Sequence, residues 1–85
     1  MTKDELICKL SERVKDEFND VVTYSKLSKF AAAYGLEGPA QILKDIAHEE
    51  HLHAEHLENI LSQLGVLKED DFDLKQNARK AVESV

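Results

Sequence analysis

Eighty-five residues suffice for one small domain, and a chain this short covers only part of its apolar surface by itself, so a metal or a partner chain is expected to complete it. Seventeen acidic residues against eleven basic ones give a formal charge of -6, which argues against nucleic acid as a partner and against a basic face for an anionic membrane. The single cysteine, Cys8, excludes an intrachain disulfide and a cysteine-based zinc or rubredoxin site, and reads as a small buried or half-buried apolar residue. The segment Met1-Thr2-Lys3-Asp4-Glu5 lacks the apolar run of a signal peptide, and no stretch is long enough to span a bilayer, so a cytoplasmic location is expected.

The first predicted element is a long helix over about residues 3–33, with Asp4 and Glu5 at the positive end of its dipole. At about 100° per residue, Leu6, Leu10, Val21, Tyr24, Ser28 and Ala31 cluster around Glu17, which places a carboxylate at the centre of an apolar stripe. Glu12, Lys15, Asn19, Thr23, Lys26 and Lys29 make a solvated side. Phe18, Val22 and Phe30 fall outside the main stripe and point to contacts beyond a simple hairpin. Gly35 suits a left-handed helix end and Gly38-Pro39 a helix start, so a short turn over 35–38 is expected to join two antiparallel helices.

The second helix is predicted from about Pro39 to Leu64, stopping at Gly65. Ile46, Ala47, Glu50, His53, Ala54, Leu57, Leu61 and Leu64 share one of its faces, so a second carboxylate lies in an apolar stripe. Burying a carboxylate without a partner costs several kcal/mol or more, roughly, which calls for a cation, a proton or a hydrogen-bond network. A shorter third helix is expected over about residues 70–83, opened by Glu69-Asp70-Asp71 and carrying Phe72, Leu74, Ala78, Ala81 and Val82. Two long amphipathic helices leave much of both stripes uncovered as a lone hairpin, whereas two hairpins close a four-helix bundle.

Glu50 and His53 stand one turn apart on the same side, the Glu-x-x-His unit of di-iron carboxylate bundles, with Glu17 as the lone inward glutamate. One chain supplies half of the ligand set. A two-fold homodimer would bring four carboxylates and two imidazoles around two divalent cations, near charge balance, and the oxygen-rich donors suit iron or manganese. Counted from the bounding glycines, Glu17 and Glu50 lie at unequal depths of about 27 and 18 Å. Glu49 and His56 fall near the boundary of the stripe, as a solvated rim or in a supporting role, while His48 and His51 are expected at the surface. A zinc-protease motif fails because position 52 is Leu52 rather than histidine.

These residues resemble the ferritin-like superfamily, and within it the rubrerythrin-like and encapsulated-ferritin-like proteins. The resemblance rests on Glu17, Tyr24, Gly35 and the run from Glu50 to Leu57, which is similar to the signature E-x-x-H-A-x-x-L, and it covers roughly residues 10–65. It implies a ferritin-like four-helix bundle, a di-iron centre and chemistry with dioxygen or peroxide. Glu17, Glu50 and His53 carry over as metal-ligating and catalytic residues, and Tyr24 as a residue beside them. Only one half-motif is present, which implies two irons per dimer at a dimer interface, with manganese or another divalent ion as the alternative. Ferroxidase activity on Fe(II) is the leading expectation. A rubrerythrin-type peroxidase with a separate electron donor, and a non-catalytic helical dimer serving as a metal-binding or interaction module, are the other readings. Oligomers beyond the dimer and enclosure in a protein shell stay open.

Overall fold

Thr2 starts the first helix because its side-chain oxygen accepts the backbone N–H of Glu5 at 3.1 Å, satisfying one of the amides that the first turn leaves without a partner. In the computed structural model, which describes residues 1–66 and 72–85, that helix is α1, Lys3–Ala33; α2 spans Glu37–Gln63 and α3 Phe72–Glu83. The described residues are all-helical. The expected entry of the third helix through Glu69-Asp70-Asp71 lies outside the described residues, and α3 is described from Phe72 onward. No helix of the described residues is long and apolar enough to cross a membrane.

Both long helices end in the same way. After α1 the Leu36 amide reaches the Ala31 carbonyl at 2.9 Å and the Gly35 amide reaches Ala32 at 3.0 Å; after α2 the Val66 and Gly65 amides repeat this on Leu61 and Ser62, each at 3.0 Å. This double bond satisfies the last carbonyls only if the intervening residue is left-handed, and Gly35 and Gly65 supply φ of 75° and 81°. Gly35→Ala forces a side chain into that region. We expect a loss of about 1–2 kcal/mol, read as a lower urea midpoint with an unchanged slope.

The turn is tighter than the glycine spacing predicts, because Leu36 already caps α2 and Gly38 and Pro39 belong to its first turn. There Pro39 lacks only an amide that no helical carbonyl could have used. The Ser28 hydroxyl donates to the Ala40 carbonyl at 2.8 Å, and farther along Phe18 meets His51, so the two helices run antiparallel. This contact also resolves the depth mismatch. Glu17 lies eleven residues before Ser28 and Glu50 ten after Ala40, or about 16 and 15 Å along the two axes, so the carboxylates arrive at one level.

The core is Val14, Phe18 and Val21 of α1, Ala54 and Leu61 of α2, and Ala78 and Val82 of α3, with Val22, Leu57 and Leu74 packed against it. It is therefore centred on Phe18, which is fully buried, and Glu17 sits at its flank rather than at the middle of the packed stripe. The cause is α3, which covers the Phe18 and Val22 side of the hairpin and is tied to α2 by a 3.1 Å ion pair between Lys75 and Glu58. Phe30 and Phe72 stay exposed, and so does Cys8, whose thiol lies 3.8 Å from the Glu12 carboxylate on the side of α1 that faces solvent. The expectation of a buried Cys8 is corrected accordingly.

Candidate metal centre

Glu17, Glu50 and His53 come together on the flank of the hairpin away from α3. Each offers one ligand atom, and the three atoms lie within 4.8 Å of one another, a separation one cation can bridge. Glu17 is buried, Glu50 is half-buried, and His53 stands at the open rim with its side chain 56% exposed and Nδ1 3.6 Å from Glu50 Oε1. The group grades from a dry floor to a wet mouth.

Two residues that sequence periodicity passes over shape the electrostatics. Arg13, one turn before Glu17, donates from its guanidinium to Glu17 Oε1 and lies 3.9 Å from Asp16. The other Glu17 oxygen, Oε2, is buried and has no partner among the described residues. A buried carboxylate oxygen left unpaired is costly, and a cation or a proton at that atom removes the cost. Asp20, half-buried and one turn after Glu17, adds a further negative charge. Arg13 and Asp20 stand at i-4 and i+3 from Glu17, so helical spacing alone could have found both.

The consequence shows at Glu50, whose carboxyl is raised from 4.5 to about 7. The largest cause is its hydrogen bond with Glu17, which the protonated form alone can make; burial and the charges of Glu17 and Asp20 act in the same direction, and His53 opposes them. Two carboxylates brought this close fit a divalent cation, because the cation stabilises both ionised groups at once. Oxygen donors from Glu17 and Glu50 with one imidazole nitrogen from His53 match a borderline-hard metal such as iron or manganese.

The other histidine-run residues separate. Tyr24 is half-buried on α1, two turns beyond Glu17, while Glu49, His56 and His48 are exposed. His51 differs from its expected surface position. Its ring packs at a 58° tilt against Phe18 with centroids 6.4 Å apart, its Nδ1 lies 3.2 Å from Glu55 Oε1, and its Nε2 is buried without a partner among the described residues. The reason is again the shift of the core onto Phe18, which covers that side of α2.

A family model described as Rubrerythrin matches residues 9–85 of the chain. No curated protein and no solved structure matches it.

Proposed function

Because the chain belongs to the rubrerythrin family, we propose that two copies join their open hairpin faces into a ferritin-like four-helix bundle that binds two irons at the interface and oxidises Fe(II). The observation that carries this reading is the convergence of Glu17, Glu50 and His53, one ligand atom from each within 4.8 Å of the others, in a group where Glu17 Oε2 is buried without a partner among the described residues. The hairpin also exposes Leu27, Ile42 and Ile60, about two to three turns from this group along the helices, apolar surface that a second copy would cover.

Glu17 and Glu50 from each copy would give four carboxylates and His53 two imidazoles, which balances two divalent cations. Iron held by these residues would supply the electrons that reduce dioxygen or peroxide. Glu17 would hold the metal at the dry end, Glu50, whose carboxyl is raised to about 7, would bind it ionised, and His53 would add a neutral donor at the mouth. Tyr24, Glu49 and His56 would have supporting roles around the ligands at most.

Protein purified without chelator should sediment at twice the 9.6 kDa of one chain and take up about two Fe(II) per dimer without oxygen. Admission of air should then produce ferric absorption faster than in protein-free buffer. Oxidation no faster than that background assigns the dimer a non-catalytic binding role. Fast turnover with peroxide and sluggish reaction with dioxygen assigns peroxidase chemistry instead.

A further inference from the structure

The negative net charge conceals a local basic groove on the opposite side of the hairpin from the carboxylates. Between α1 and α3 lies a cavity of about 510 Å³ lined by Lys26, Lys29 and Lys80, with the amides of Asn19 and Asn77 beside them. A second cavity of about 270 Å³ continues from it, sharing Lys29 and Ser84 and adding Lys44. Four of the eleven basic residues of the chain thus line one connected groove; among the described residues no acidic side chain lines either part, and Val85, the last residue, borders the smaller one. None of the four lysines makes an ion pair among the described residues. This contrasts with Lys75, paired to Glu58, and Arg13, paired to Glu17.

The floor adds an independent observation. Ser25 lines the larger cavity at 1% exposure, and its hydroxyl has no hydrogen-bond partner among the described residues. A buried hydroxyl is ordinarily paired, often to the carbonyl one turn back, as the Ser11 hydroxyl is to Ile7 at 2.7 Å. Three lysines, two side-chain amides and an unpaired hydroxyl give the larger cavity more donors than acceptors, and no acidic side chain among the described residues lines it. Phosphate oxygens supply both negative charge and acceptors, and lysine binds phosphate as a mobile point charge. The volume of the larger cavity falls in the range of small-molecule sites, and the second cavity extends it lengthwise.

We propose that the α1–α3 groove binds a small phosphate-bearing anion, with Lys26, Lys29 and Lys80 holding one phosphoryl group and Lys44 reaching a second. The site does not depend on the metal centre, because none of its lining residues belongs to the Glu17, Glu50 and His53 group.

The test uses metal-free protein and inorganic pyrophosphate, followed by calorimetric titration at about 150 mM salt, where unspecific attraction to scattered surface lysines is screened. Saturable uptake of one pyrophosphate per chain is expected, with inorganic phosphate binding more weakly because it reaches one end of the groove only. Lys26→Gln/Lys80→Gln should weaken pyrophosphate binding at least tenfold, while Lys3→Gln/Lys9→Gln, which removes equal charge outside the groove, should leave it within twofold. Asn77→Asp, which puts a carboxylate into the lining, should weaken it similarly with unchanged helical circular dichroism. Equal weakening by both lysine pairs, or the absence of saturable binding, overturns the proposal. Because the measurement is made without iron, failure of iron oxidation leaves it intact, and its own failure leaves the metal centre intact.

Discussion

Glu50→Gln is expected to abolish uptake of divalent metal and, at pH 8, to raise the melting temperature of the metal-free protein by several degrees. Glutamine keeps a donor for Glu17 and removes the second negative charge. The pH dependence follows from the raised carboxyl. A group that ordinarily titrates at 4.5 and is held at about 7 in the fold favours the fold only while it keeps its proton. That contribution is complete below about pH 4.5, declines as pH rises, and is gone above about 7, where the empty site must hold Glu50 and Glu17 both ionised. The gain from Glu50→Gln should therefore shrink toward zero at pH 5. Thermal unfolding of both proteins across this range, at one protein concentration, measures it. An equal gain at both ends, or metal uptake retained by the variant, would remove Glu50 from the centre.

Phe18→Ala is expected to cost about 3–5 kcal/mol, the cost typical of emptying a fully buried aromatic site. Phe18 is 0% exposed and is the largest fully buried side chain, in a core shared by all three helices and in contact with His51. Small domains have total stabilities at the low end of about 5–15 kcal/mol, so the variant should lie near the edge of folding, with its urea midpoint at least halved. A loss below about 1 kcal/mol would mean that the core closes around some other residue.

The helical hairpin was legible because its signals are local: Asp4 and Glu5 mark the start of α1 and Gly35 its end, Gly65 bounds α2, and the apolar period is that of a helix throughout. Glu17, Glu50 and His53 were legible as a group because an i, i+3 pair and a carboxylate in an apolar stripe are patterns of a single helix. What escaped depends on contacts between helices. A wheel centred on Glu17 cannot know that α3 draws the packed face around to Phe18, so the burial of His51 was missed and Cys8 was assigned to the wrong environment. The turn was drawn two residues too long because Gly38-Pro39 was read as the start of α2; Gly35 reverses the chain, whereas Gly38 already lies in the first turn of α2 with nothing near its missing side chain. The basic groove was invisible for a related reason. Lys26 and Lys29 read as solvated charges on α1 until Lys80 arrives from a helix some fifty residues later.

The guanidinium of Arg13 on Glu17 bears on the order of assembly. Small proteins held by zinc commonly stay unfolded until the ion arrives, since their ligands have no other company. Here the most deeply buried acid already has a cationic companion from its own helix, one turn away, whose side chain stays over half exposed and free to swing outward. The chain can thus fold first and be charged with metal afterwards. Because Arg13 holds only Oε1 and leaves Oε2 without a partner among the described residues, an incoming cation can take the second oxygen while the arginine keeps the first.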